Sequence, residues 1–206
     1  MIKLVFTLTL LAFSLSTPIP SKKTGFIIGN IRARSQLDIF LDPHCPASKD
    51  FYFLLKDVLM TKVKDVPLIE QVTLVIHYQP LPYHQNAILS IKVLKYFEKN
   101  LREAVLPFLE RMFKTMDDYN SGSVSRSQAE VKIRLYEDAT SVIGKVDPEL
   151  GNVFRSIEFE VESRLAFKHA VSRGVTGAPF FFLNDVLVEE VPETKDRFVK
   201  FLEEYI

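Results

Sequence analysis

The chain has 206 residues, 47% of them apolar and 12% aromatic, with 26 basic side chains against 26 acidic ones. That apolar content excludes a disordered chain, and the even charge lacks the basic excess of a nucleic-acid binder, so no nucleic-acid partner is expected. Seventeen Phe and no Trp supply the core, and a single cysteine rules out an internal disulfide.

Residues 1–16 read as a secretory signal. Lys3 gives a short positive start, Leu4 to Leu15 a mostly apolar run, and Ser14 and Ser16 the small residues a signal peptidase reads. The run is shorter than the roughly 20 residues of a membrane span. The expected location is therefore the secretory pathway, in the endoplasmic reticulum lumen or outside the cell, with no membrane partner after signal removal. An odd cysteine in such a protein points to a reactive thiol or to intermolecular pairing.

Residues 17–83 read as a first lobe. A Pro/Ser/Lys-rich tail precedes the strand-like run Gln36 to Leu41, which Asp42-Pro43 breaks. From Ser48 the residues Phe51, Leu54, Leu55, Val58 and Leu59 recur at helical spacing. Val72 to Tyr78 is a β-branched strand, ended by Pro80 and Pro82. Strand, cysteine turn, helix and strand make a βαβ unit with a right-handed crossover expected.

Residues 84–168 read as an all-helical insertion with a connecting helix. Ile88, Ile91, Leu94 and Phe97 form one stripe, and Val105, Phe108, Leu109, Met112 and Met116 a second. Asn120 to Ser123 is a loop, and Ser127 to Ile143 a third helix. A long helix over about 150–172 carries the stripe Phe154, Ile157, Val161, Leu165 and Phe167 or His169. Residues 169–206 then give Gly174 to Pro179, the strand Phe180 to Leu183, the turn Asn184-Asp185, the short run Val186 to Val188, and a closing helix from Thr194 to Tyr205.

Cys45 lies in Asp42-Pro43-His44-Cys45-Pro46-Ala47-Ser48, between the first strand and the first helix. A sulfur at a helix start sits where free backbone N–H groups and the helix dipole favour the thiolate over the thiol. His44 is a source of positive charge near neutral pH. Ser48 is placed to cap the helix or to hydrogen-bond the sulfur. A purely structural role for Cys45, as a small buried residue in the turn, is the plain alternative. His77, His84 and His169 are too scattered for a zinc site, and one cysteine excludes a thiol-rich cluster. Asn86 is expected to cap the next helix.

This α/β order resembles the thioredoxin-like fold as elaborated in the DsbA-like family, with its helical insertion. The run from Asp42 to Ser48 is similar to that family's strand-C-P-x-C-helix motif, with Ser48 where the second cysteine would stand. Val175 to Phe181 is similar to its loop containing a cis-proline, and Pro179 would be that residue. The two motifs lie about 130 residues apart. The resemblance implies Cys45 as nucleophile, helped by His44 and Ser48, and a substrate groove shaped by Pro46, Ala178 and Pro179. It implies protein or peptide disulfides and thiols as partners, glutathione as a candidate co-substrate, and no cofactor or metal. Without a second cysteine the implied activity is monothiol, of the disulfide oxidoreductase or isomerase type. The alternatives are a redox-inactive peptide-binding module and, third, a glutathione transferase-like enzyme.

Overall fold

The computed structural model describes residues 24–120 and 125–206. The signal-like run 1–16, most of the tail after it and the loop tip 121–124 lie outside those residues.

The central strand β2 (Ser35–Leu41) is buried on both faces, as expected for a strand with parallel pairing on one side. Strand β1 (Phe26–Gly29) precedes it at the sheet edge. Helix α1 (Pro46–Leu59) follows β2, starting two residues earlier than the apolar spacing predicts. A small hairpin, β3 (Lys62–Val63) and β4 (Val66–Pro67), turns through Lys64 and Asp65, both at positive φ. The four-residue helix α2 (Leu68–Gln71) then leads into β5 (Val72–Tyr78). β5 pairs parallel with β2, setting Leu37 against Leu74 and Ile39 against Ile76.

The insertion holds α3 (Ala87–Asn100), a 3-10 turn at Arg102–Ala104, α4 (Val105–Tyr119) and α5 (Gln128–Ile143). The single helix expected over 150–172 is instead two: α6 (Pro148–Asn152) and α7 (Ile157–Ser172). Asp147 and Ser156 each accept a backbone N–H from the turn that follows, so each begins a helix of its own. The buried face of α7 also differs from the expected stripe. It is Phe159, Ser163, Ala166 and Ala170, while Ile157, Val161 and Phe167 are exposed. Small residues on that face let α7 approach α3 and the sheet closely.

After α7, β6 (Phe180–Leu183) pairs antiparallel with β2, and β7 (Val186–Leu187) closes a hairpin. Its turn residues Asn184 and Asp185 both take positive φ, a two-residue turn whose twist matches the strands. Helix α8 (Lys195–Glu203) ends the chain. The five-stranded order is β1-β5-β2-β6-β7.

Alternation along the strands sorts the core into two layers. Leu37, Ile39, Leu41, Leu74, Ile76 and Tyr78 join the main cluster with α1, the insertion helices and α8. There Phe181 and Phe198 meet edge-to-face at 5.6 Å. Phe40, Val175 and Phe182 pack with Ala170 of α7 in a second cluster.

Helix α5 opens with a capping box: the Glu130 N–H donates to Ser127 Oγ, and the Glu130 carboxylate accepts the Ser127 N–H. These bonds to Ser127 hold the Glu130 carboxyl below its usual range. Ser127→Ala is expected to lower stability by about 1 kcal/mol in urea denaturation, with Ser127→Asp close to wild type.

Candidate active site

Strand β2 ends at Leu41, and the next four residues turn the chain into α1. The Cys45 N–H donates to the Asp42 carbonyl at 3.1 Å, and the Cys45 carbonyl accepts the Lys49 N–H at 3.0 Å. Cys45 is thus the N-cap residue of α1, in an extended conformation, with Pro46 in the first turn, where its missing N–H costs nothing. This fixes the sulfur at the positive end of the helix dipole. Cys45 is 6% exposed, whereas Pro46 and Ala47 beside it are open to solvent.

Antiparallel pairing of β6 with β2 sets Phe180 opposite Phe40. The residues just before β6 therefore lie over the cysteine turn. The Cys45 thiol donates to the Ala178 carbonyl at 3.4 Å, and the Ala178–Pro179 peptide bond is cis. Cys45, Pro46, Ala178 and Pro179 are brought to one place by strand pairing across the middle of the sheet.

Ser48 is fully buried, and its Oγ accepts the Asp42 N–H at 3.2 Å. It caps no helix, because it already lies inside α1; it ties the helix to the end of β2.

His44 differs from expectation. It is fully buried, and burial, helped by the nearby His84, lowers its pKa to about 3. The ring is therefore neutral near pH 7 and lends Cys45 no positive charge. Its Nε2 lies 2.8 Å from Ser90 Oγ, and the Ser90 hydroxyl donates to Met112 Sδ at 3.3 Å. His44 Nδ1 is buried without a hydrogen-bond partner among the described residues. The ring stacks on Tyr119 at 5.2 Å, and the His44 carbonyl accepts from Asn120 Nδ2 at 2.8 Å. The insertion thus reaches into the cysteine turn through the end of α4.

Sequence reasoning passed over Asp42 as a strand breaker. Its carboxylate is fully buried and joins three segments. Oδ1 accepts the His44 N–H at 2.7 Å, and Oδ2 accepts the Leu81 N–H at 2.7 Å and faces His84 Nδ1 at 3.0 Å. Burial pushes its pKa up, although the bonds from Leu81, His44 and His84 act the other way. The one available signal was the pair Asp42-Pro43 at the end of an apolar strand. Asn86 stands at the N-cap position of α3 but makes no cap bond; its Nδ2 donates to the Tyr119 carbonyl at 2.8 Å.

On the opposite sheet face the fold does bring two of the scattered histidines together. The His77 and His169 rings lie 4.7 Å apart, and His77 Nε2 is 2.8 Å from Asp38 Oδ1. Burial, with His77 and Arg173 nearby, lowers the His169 pKa to about 4. Among the described residues no group of three or more His, Cys, Asp or Glu side chains could hold a metal ion. Nor is any described helix long and apolar enough to cross a membrane.

A sequence model of the family described as thioredoxin matches residues 21–204. No curated protein sequence matches the chain. Among solved structures, the chain is similar to alpha-DsbA1 from Wolbachia pipientis at 13% identity and a TM-score of 0.67, covering 91% of this chain and 92% of that one. It is similar to oxidised BdbD from Bacillus subtilis at 17% identity and a TM-score of 0.66, covering 88% and 90%. A periplasmic thioredoxin-like protein from Salmonella enterica serovar Typhimurium aligns at 18% identity and a TM-score of 0.61, covering 88% and 89%. With Cys45 at the start of α1, the loop at Pro179 over it and helices inserted between β5 and β6, the chain belongs to the thioredoxin family, as a single-cysteine member with the DsbA-like fold.

Proposed function

We propose that the protein is a monothiol disulfide exchanger of the secretory pathway, acting on protein or peptide disulfides through Cys45. The observation that carries this reading is the sulfur at the N-cap of α1, within hydrogen-bond reach of the carbonyl before Pro179. The exchange balances with one cysteine. The Cys45 thiolate attacks one sulfur of a substrate disulfide, an enzyme–substrate disulfide forms, and the other substrate sulfur leaves as a thiolate. A second thiolate, such as that of glutathione, then attacks the substrate sulfur of the mixed disulfide and returns Cys45 to its starting form. Ser48 cannot supply that second thiol. Its role here is positioning, since its hydroxyl holds the backbone of Asp42 at the head of the turn. Pro46, Ala178 and Pro179 border the sulfur and form the contact surface for substrate, and His44 supports the turn as a neutral ring. The secretory location rests on the signal-like run 1–16 and agrees with the periplasmic origin of the Salmonella relative.

The test is intact-mass analysis of the folded protein with oxidised glutathione and with a disulfide-bonded peptide. One adduct per chain is expected, released by excess reduced glutathione and missing in Cys45→Ala. No adduct until the chain is unfolded would sink the proposal.

Its near-complete burial and its bond to Ala178 favour a second reading, a binding module that uses the same loop for peptides without exchange. That reading predicts peptide affinity unchanged in Cys45→Ala.

A further inference from the structure

The last turn of α7 lies on the sheet face away from α1 and carries ionisable side chains that the thiol chemistry does not use. His169 of α7 and His77 of β5 stand 4.7 Å apart, and both rings stack on Phe40 of β2, at 5.7 and 4.5 Å. A cleft of about 690 Å³ opens beside them, with Gln36, Asp38, Thr73, His77, His169 and Arg173 in its wall. His169 is half-buried in that wall, so protons reach it from water.

The surroundings of His169 resist a charge on it. His77 of β5, Arg173 of α7 itself and Lys95 of α3 all disfavour the cation, and Asp38 of β2 favours it. Both Asp38 oxygens are already engaged, Oδ1 by His77 Nε2 and Oδ2 by Gln36 Nε2, each at 2.8 Å. The other carboxylates nearby are paired too: Asp185 of the hairpin turn with Arg173 at 2.8 Å, Glu98 with Lys95 at 2.7 Å, and Glu160, earlier on α7, with Lys92. The dipole at the end of α7 favours a cation, but burial and the positive neighbours outweigh it and lower the His169 pKa to about 4. A charged His169 therefore gains by turning out into the water of the cleft, and it gives up its place on Phe40.

A short run of bonds joins that place to the thiol. The Arg173 N–H donates to the His169 carbonyl at 3.2 Å, and the Val175 N–H to the Ala170 carbonyl at 3.0 Å. Val175 is 2% exposed and packs with Ala170 against the same Phe40 ring. Three residues further on, the Ala178 carbonyl accepts the Cys45 thiol. We propose that the His77–His169 pair is an acid switch on the site: a proton on His169 turns its ring out, loosens the end of α7 and frees residues 173–178 from over Cys45. The effect on Cys45 rests on the thiol reading above, whereas the loosening is measured without a reactive sulfur.

Two measurements on the full chain, each at pH 6 and pH 4, make the test. Amide hydrogen exchange, corrected for its intrinsic pH dependence, should show the Arg173 and Val175 N–H groups at least 5-fold less protected at pH 4, with the amides of α5 within about 2-fold. The rate of Cys45 with 2,2′-dipyridyl disulfide, which accepts thiols in acid, is divided by that of N-acetylcysteine at the same pH; this ratio should rise at least 5-fold on acidification. His169→Gln and His169→Phe, neutral at both pH values, should each keep protection and ratio within about 2-fold. Unchanged protection in the parent chain, or the same loss in both variants, would overturn the switch. A flat Cys45 ratio despite lost protection would overturn its coupling to the thiol. Failure of the thiol reading looks different: Cys45 reacts at neither pH, and hydrogen exchange still decides the switch.

Discussion

Asp42→Ala is expected to lower the unfolding free energy by about 2–6 kcal/mol, since it strands the N–H groups of His44 and Leu81 at ~1–3 kcal/mol each. Asp42→Asn keeps an acceptor oxygen and should lose less, as urea denaturation would show. The pH dependence separates this acid from the one across the sheet. Burial raises the Asp42 pKa in the folded chain, so the folded state holds its proton more tightly than the unfolded one. Its contribution to stability is full below the unfolded value near 3.8, falls as pH rises through the raised folded value, and is flat above it. Asp38 runs the other way. Burial raises its pKa, but the bonds from His77 and Gln36 outweigh that and hold it low. Its contribution is present above the unfolded value near 3.8 and is lost as pH falls through the folded value. Denaturation midpoints from pH 3 to pH 7 should therefore show the decline just above pH 3.8 removed in Asp42→Asn, and the acid-side loss reduced in Asp38→Asn.

The second large effect is expected at Asp138, inside the insertion. Arg111 donates to its Oδ1 through Nε at 2.9 Å and Nη2 at 2.7 Å, and the Tyr119 hydroxyl donates to Oδ2 at 2.5 Å. Burial and that bond to Asp138 keep the Tyr119 phenol protonated far above its usual range. Asp138 is 2% exposed and Tyr119 1%, whereas the Arg111 side chain is 38% exposed and can turn to water, so Asp138→Ala chiefly strands the buried phenol hydroxyl and should lower stability by about 1–3 kcal/mol. Because the Tyr119 ring stacks on His44, the ring protons of His44 should shift in Asp138→Asn, while the methyls of Val186 and Leu187 in the hairpin should not. Unmoved His44 signals would show that the Asp138–Tyr119 bond does not reach the cysteine turn.

What could be read from the sequence divides along physical lines. β2, α1, β5, the hairpin at Asn184-Asp185 and α8 carry their own periodicity or turn chemistry, and each is found within two residues of where the pattern puts it. Strand β1 is four residues long, and its strand state comes from pairing with β5, a partner nearly 50 residues away. The break between α6 and α7 hides under apolar residues that keep helical spacing across it. At the site, Cys45 and Pro179 announced themselves by motif, whereas Asp42 did not. Its function as a junction exists only because the chain returns at Leu81 and His84, which no local pattern encodes. His44 failed as a charge for the same reason: its surroundings are Ser90, Met112 and Tyr119, three separate points of the insertion.

The position of β2 sets the order in which the molecule can be completed. One edge of β2 pairs with β5, which follows within about 40 residues, but the other waits for β6: Phe40 is matched by Phe180, about 140 residues later. At ~5–20 residues per second of synthesis, that lag is roughly 7–30 seconds. During it a nascent chain holds an apolar strand with one bare edge, a template for joining other chains. Residues 35–41 therefore keep an open edge until residues 180–183 have been made, which makes β2 the strand completed last in the sheet's centre.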